Sequence, residues 1–261
     1  MSGGAVRMDL TDRVAIVTGG AKGIGGAISR RLDAEGAILV VADIDEAGLD
    51  ALKSSLVGAR AADCLNVVGD VSTREGAEAL IGAALGAFGR VDVLVNNAGG
   101  GVIKPTLEHT EETLRETIDR NLWTTLYCTL EVLPVMVEQE YGRIVNVGAE
   151  SVRNGLDQHA IYNAAKGGVH GLATGLAREF ATSGITVNTV APSFIATEQV
   201  KAIIETNPEV AQYLDAVTDT IPMGRPGEMD EVASMVAYLA SGEASYVTGQ
   251  VVSVNGGSSM L

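Results

Sequence analysis

Cysteine is nearly missing from this chain of 261 residues: there are two, Cys64 and Cys128. They fall on different predicted elements and form no redox or metal-binding spacing, so each reads as a small buried hydrophobe. Histidine is as scarce, with His109, His159 and His170 alone. Their spacing gathers no ligand set with carboxylates or with each other, and no metal site is expected. The six prolines mark no linker, and no internal repeat is visible, which predicts one domain over 1–261. Positive charge is in deficit. Eighteen Lys and Arg face 33 Asp and Glu, a net charge of -15. Nucleic acid and anionic membranes want a basic face, so neither is an expected partner. No apolar run reaches the ~18 residues of a membrane span. The opening MSGGAVRMDLTDR has no apolar signal-peptide core. A soluble, reducing, cytoplasmic setting is the expectation.

What is plentiful is glycine, 32 residues, and core material, 46% hydrophobic. The glycines cluster at a few junctions. Short Val- and Ile-rich runs at 13–20, 37–45, 64–71, 91–99, 143–149, 185–192 and 249–257 read as buried strands. Amphipathic stretches at 23–35, 46–56, 73–88, 110–140, 161–182 and 228–240 read as helices. Ser72 with Glu75 three residues on reads as a capping box for the third helix. This alternation predicts an α/β fold, a doubly wound parallel sheet of about seven strands with helices on both faces. Ligands of such sheets sit at the carboxyl ends of the strands, where the glycine-rich junctions fall.

The first junction is TGGAKGIG, Thr18 to Gly25, between a strand and a helix. Gly19, Gly23 and Gly25 let backbone approach a pyrophosphate, and the helix N-terminus at Lys22, Gly23, Ile24 and Gly25 offers amides and a positive dipole. A glycine-rich turn with no ligand is the plain alternative. The second strand ends in Asp43, whose carboxylate suits adenosine ribose hydroxyls and repels a 2′-phosphate. Lys22 argues the other way, as a cation beside the loop; Asp43 is weighted more heavily, so NAD is expected over NADP.

Tyr162 and Lys166 stand at i and i+4 and share one helix face. An ammonium beside a phenol lowers its pKa, and the pair can pass a proton to or from a substrate oxygen. A surface helix pair is the plain alternative. Upstream the chain reads Gly148-Ala149-Glu150-Ser151, with Ser151 as the nearest hydroxyl.

Taken together these residues resemble the short-chain dehydrogenase/reductase family. TGGAKGIG is similar to its cofactor loop, NNAG (Asn96 to Gly99) to its fourth-strand motif and YNAAK to its catalytic motif. Further matches are Asp70 in GDVS, Asn121 in DRNLWTT, APSFIAT after the sixth strand and the terminal VNGG, in family order over about 10–257. The resemblance implies a Rossmann-type sheet of order 3-2-1-4-5-6-7 and hydride transfer between a nicotinamide and a secondary alcohol or ketone. It implies Tyr162 as acid/base, Lys166 as its helper and ribose ligand, and Asn121 supporting a water that links Lys166 to solvent. Asp70 and Val71 would flank the adenine, with Asn97, Ala98 and Gly99 along the cofactor's middle. Pro192 would lie by the nicotinamide, and Ile195 and Thr197 would contact its carboxamide. It also implies a dimer or tetramer built on the helices at 110–140 and 161–182.

Two positions depart from the family. Pro192-Ser193 stands where the family has Pro-Gly, and Ala149 stands where it has its catalytic serine, 13 residues before the tyrosine. Ser151 is the candidate replacement; the Glu150 amide, a water, or a purely loop-capping Ser151 are the alternatives. The stretch 195–220 is expected to form a substrate lid, with Ile203, Ile204, Val210, Tyr213 and Leu214 lining a pocket or packing on the core. Arg153 and Asn154 are candidates to face the substrate, Arg153 as a carboxylate partner; an ordinary surface arginine is the favoured alternative. His159 is a candidate substrate contact or a plain loop residue. The segment from Gly99 to Leu130 loosely resembles enzymes that oxidise cis-dihydrodiol carboxylates of aromatic catabolism. Reduction of 3-oxoacyl groups on acyl carrier protein is the second reading, though an acidic carrier is a poor electrostatic match for a chain of -15. A dinucleotide-binding protein without turnover is the third.

Overall fold

The computed structural model describes residues 8–260. The elements run β1 (Val14–Thr18), α1 (Gly23–Ala34), β2 (Ile38–Asp43), α2 (Glu46–Ser55), β3 (Leu65–Val68), α3 (Arg74–Phe88), β4 (Val93–Asn96), α4 (Glu111–Ile118) and α5 (Thr124–Glu138). They continue with β5 (Gly142–Val147), α6 (Ser151–Asn154), α7 (Ala160–Phe180), β6 (Ile185–Pro192), α8 (Glu198–Thr206), α9 (Pro208–Asp219), α10 (Met229–Ala240) and β7 (Val251–Val254). The strands form one parallel sheet in the order β3-β2-β1-β4-β5-β6-β7. It is the Rossmann-type order that the motifs imply.

Alternate residues of each central strand feed opposite faces. Ala15 and Val17 of β1 pack with Ile28 and Leu32 of α1 and Val236 and Leu239 of α10. Val14 and Ile16 pack with Leu80 of α3, Val132 and Met136 of α5 and Ala173 of α7. A strand covered on both faces needs apolar residues at every position, which explains the unbroken Val and Ile runs. The edge strands escape this demand. β3 and β7 are half-buried, and Val68 at the end of β3 is exposed.

Two expectations need correction, and one alternative is narrowed. The cap of α3 is Thr73, not Ser72: the Thr73 hydroxyl accepts from the Gly76 amide, and the Ser72 amide is spent on Asp70. The helix expected over 110–140 is interrupted by a π turn, Asp119–Trp123, between α4 and α5. Such turns place an extra residue on one face and recur at functional sites; here the residue placed inward is Asn121, which is fully buried. The stretch expected as a lid folds into α8 and α9, but neither helix buries a side chain. Ile203 and Ile204 therefore do not pack on the core.

The sheet order changes direction between β1 and β4, and the crevice at their carboxyl ends is where ligands of such folds bind. One side chain fixes that crevice. The Thr18 hydroxyl accepts from the amides of both Asn97 and Ala98, each at 3.0 Å, and is itself buried. Thr18→Val keeps the shape and removes both acceptors. It is expected to lower stability by about 1–3 kcal/mol in denaturant unfolding, with Thr18→Ser close to the parent; equal stability of the valine variant contradicts this role.

Candidate active site

The turn after β1 is shaped by what glycine omits. Gly19 has a φ of +58°, and a Cβ there would sit 2.8 Å from the Ala98 Cα. On Gly25 a Cβ would come within 2.0 Å of the Gly19 carbonyl oxygen. The helix α1 can thus begin directly against the turn. Its N-cap, Lys22, places no side chain on the first-turn amides, and a Cβ on Gly23 would meet nothing within 4 Å. An open, uncapped helix start with no side chain in front of it fits an anionic pyrophosphate. From the β4 side the Asn97 amide group closes the turn, donating to the carbonyls of Thr18 and Gly19 at 3.0 and 2.9 Å.

Asp43 ends β2 beside this turn. Its two carboxylate oxygens accept from the amides of Ala21 and Asp45, both at 3.1 Å. Lys22 is drawn off by Asp45, whose carboxylate lies 3.1 Å from the ammonium. The Gly48 amide and then Lys22 hold the Asp45 carboxyl below its ordinary range. Asp70 and Val71 follow β3: Asp70 is exposed and accepts from the Ser72 amide, while the Val71 side chain is buried.

The catalytic candidates converge on the glycines after β4. A Cβ on Gly99 would meet the Asn121 Oδ1 at 2.9 Å and the Lys166 Nζ at 3.3 Å. On Gly101 it would meet the Tyr162 ring at 2.9 Å. Only a backbone without side chains can run between these three residues. Asn121 is held from both ends. Its Nδ2 donates to the carbonyls of Gly100 and Thr117 at 2.9 and 2.8 Å, and its Oδ1 accepts from the Gly100 amide. The Lys166 Nζ lies 5.9 Å from the centre of the Tyr162 ring and donates to the Val147 carbonyl at 2.8 Å.

The charge states follow from burial. Lys166 is buried, and losing water pushes its pKa down to about 8. The same cause pushes the Tyr162 phenol up to about 12. This corrects the expectation that the ammonium lowers the phenol: in the free chain burial sets the direction, and the ammonium stands 5.9 Å from the ring centre. At neutral pH Tyr162 carries its proton.

Ser151 opens α6 and is buried. Its hydroxyl bonds the Asn163 Oδ1 at 2.6 Å. The Glu150 amide, an alternative support for a substrate oxygen, is occupied by the Pro192 carbonyl at 2.9 Å. Arg153 does not face the substrate side. It turns to β7, donating to the Ser253 hydroxyl at 2.6 Å and the Val251 carbonyl at 2.9 Å. Its neighbour Glu150 is fully buried and accepts from the Ser259 hydroxyl. His159 sits at the start of α7 with its ring edge-on to Tyr162, 5.9 Å between centres. Beyond Pro192, Ile195 is buried and bridges to Gly227, and the Thr197 hydroxyl caps α8. A cavity of about 560 Å³ opens beside this end of the chain, between Phe194, Ile221, Gly227, Tyr238 and Ser253.

Sequence reasoning gave no role to Asn163, His170 or the Thr18 hydroxyl. Asn163 and Thr18 stood inside quoted motifs, but their partners are distant in sequence. His170 is one turn beyond Lys166, a periodicity that could have flagged it. Its Nε2 accepts from the Ala149 amide at 3.4 Å. Burial, then Arg153 and Lys166, push its pKa down to about 4, which keeps it a neutral acceptor.

A family model described as enoyl-(acyl carrier protein) reductase matches residues 19–259. The chain is 58% identical over 255 residues to 2,3-dihydroxy-2,3-dihydro-p-cumate dehydrogenase of Pseudomonas putida, covering 97% of each. It is 39% identical over 254 residues to the 3-oxoacyl-acyl-carrier-protein reductase FabG of Vibrio cholerae, covering 97% of this chain and all of that one. Among solved structures, levodione reductase superposes with a TM-score of 0.88 at 35% identity, covering 95% of this chain and 97% of that one. With the Rossmann-type sheet and the motifs in order, the chain belongs to the short-chain dehydrogenase/reductase family, enzymes that act on CH–OH groups with a nicotinamide cofactor.

Proposed function

We propose that this enzyme oxidises a ring-borne vicinal diol, a cis-dihydrodiol carboxylate of aromatic catabolism, with NAD. The carrying observation is the 58% identity, along almost the whole of both chains, to an enzyme named for a dihydroxy-dihydro acid. The 3-oxoacyl reductases match less closely, and an acidic carrier protein meets a chain of net charge -15. When bound, the nicotinamide supplies the hydride acceptor. Gly19, Lys22, Gly23, Ile24 and Gly25 would hold the pyrophosphate through the first turn of α1. Asp43, Asp70 and Val71 would surround the adenosine end, and Asn97, Ala98 and Gly99 the middle. Pro192, Ile195 and Thr197 would bracket the nicotinamide end. Tyr162, as a phenolate stabilised by Lys166, takes the proton of the reacting hydroxyl, and Asn121 keeps the backbone at Gly100 open beside Lys166. The helices α8 and α9 serve as a lid, with Ile203, Ile204 and Tyr213 exposed along them.

The chain works in the cytoplasm as a dimer or tetramer. Among the described residues, no helix is long and apolar enough to cross a membrane. Trp123 at the end of the π turn and Leu130 and Val137 on α5 are exposed at seven-residue spacing, a stripe suited to a second copy.

A spectrophotometric panel of dihydrodiol acids, simple secondary alcohols and 3-oxoacyl thioesters, each with NAD and NADP, tests the assignment; turnover confined to the thioesters contradicts it. Tyr162→Phe is expected to lose ~10²-fold or more in turnover while dinucleotide binding persists, and near-normal turnover sinks the proton-transfer role. The pH dependence has a definite sign. Oxidation needs the phenol deprotonated, and burial holds its pKa high, near 12 in the free chain. The rate of oxidation should therefore climb with pH through the alkaline range, and the reverse reduction should fall over the same range. Opposite slopes in pH–rate profiles contradict the assignment of Tyr162. For the cofactor, Lys22 is already paired with Asp45 and Asp43 faces the ribose. NAD should exceed NADP by at least ~10-fold in kcat/KM, with Asp43→Ser narrowing the gap; a parent preference for NADP overturns it.

A further inference from the structure

We infer that Ser151 recognises the second hydroxyl of a vicinal diol by accepting a hydrogen bond from it, and that Asn163 locks Ser151 into the acceptor role. The inference rests on the reading of the substrate as a diol and goes beyond it by naming the residue that tells a diol from a simple alcohol.

In the turn after β5 the amides of Gly148, Ala149 and Glu150 are not left for a substrate oxygen. The Gly148 amide is spent on the Val190 carbonyl at 2.7 Å, the Ala149 amide on His170 and the Glu150 amide on Pro192. Ala149 has no hydroxyl. Ser151 is the nearest hydroxyl in this turn, and the direction of its proton can be fixed. The Asn163 Nδ2 donates to the Ser151 carbonyl at 2.9 Å, which sets the amide's orientation. Its Oδ1 then faces the Ser151 Oγ at 2.6 Å. An amide oxygen carries no proton, so the hydroxyl donates. A serine has one O–H and two lone pairs, so Ser151 is left able only to accept.

An acceptor is the wrong partner for a carbonyl or alkoxide oxygen, which has no proton to give. It is the right partner for a hydroxyl that stays a hydroxyl throughout. In a vicinal diol one C–H gives its hydride and the attached O–H its proton to Tyr162, while the neighbouring O–H keeps its proton and can donate it to Ser151. Asn163 directly follows Tyr162 on α7, so the acceptor is anchored to the same helix turn as the acid/base. A simple alcohol leaves that lone pair without a partner, and sites built to bond a substrate hydroxyl discriminate strongly against analogues that lack it.

The test compares cis-cyclohexane-1,2-diol with cyclohexanol, using NAD and reading the ratio of their kcat/KM values. The wild type should favour the diol by at least ~10-fold. Ser151→Ala should bring that ratio close to one, whatever it does to the absolute rates. Asn163→Leu frees the Ser151 proton and should also narrow the ratio; a positioning residue that served only the fold would lower both substrates alike and leave the ratio in place. A wild type without preference for the diol, or a Ser151→Ala variant with the parental ratio, overturns the inference. If the diol preference holds but no dihydrodiol acid is turned over, the proposed function fails and the inference stands. If dihydrodiol acids are oxidised and Ser151→Ala keeps the ratio, the inference alone fails.

Discussion

A lysine ammonium taken out of water organises the carboxyl end of this sheet. Lys166 is buried, and the carbonyl of Val147 at the last position of β5 receives its proton at 2.8 Å. Desolvation brings its pKa to about 8, so near neutral pH the ammonium survives on that carbonyl and on whatever negative charge develops beside it. The surroundings follow from making room for it. Gly99 passes where any side chain would strike both Lys166 and Asn121. The π turn between α4 and α5 exists at the point where Asn121 must reach in to hold Gly100. Tyr162 shares the helix face of Lys166, and its high pKa makes the ammonium's help matter most when the phenol gives up its proton.

The same region shows how a lost serine is absorbed. Ala149 is buried where the family carries a hydroxyl. Rather than leaving the turn open, the chain ties each of its amides inward, to Val190, His170 and Pro192. His170 can do this only as a neutral ring, and its burial beside Arg153 and Lys166 keeps it so. The nearest hydroxyl lies two residues on, at Ser151, and donates to the Asn163 Oδ1.

Much of this was legible in the sequence wherever the physics is local. Strand–turn–helix order, the φ > 0 turn at Gly19, and the i, i+4 pairing of Tyr162 with Lys166 all depend on residues close in the chain. What escaped depends on partners far away. Arg153 read as a surface arginine or a substrate ligand because nothing in its neighbourhood announced Ser253 and Val251 on β7. Asn163 lay unremarked inside YNAAK because its partner, Ser151, belongs to another element. The cap of α3 slipped by one residue because Ser72 and Thr73 are equivalent in type, and the competing bond from Ser72 to Asp70 decides between them. The phenol's pKa was misjudged in sign because spacing shows that a cation is near but not how much water has been removed.

The central claim is that this site moves a hydride from a diol carbon and a proton from the oxygen on it. A dihydrodiol acid carrying deuterium only at the carbinol carbon that becomes the ketone, incubated with NAD and the enzyme, tests the hydride step directly. The account predicts one deuterium on the reduced nicotinamide per turnover and none in the solvent. Deuterium appearing in water, or product formed without labelled nicotinamide, would contradict it.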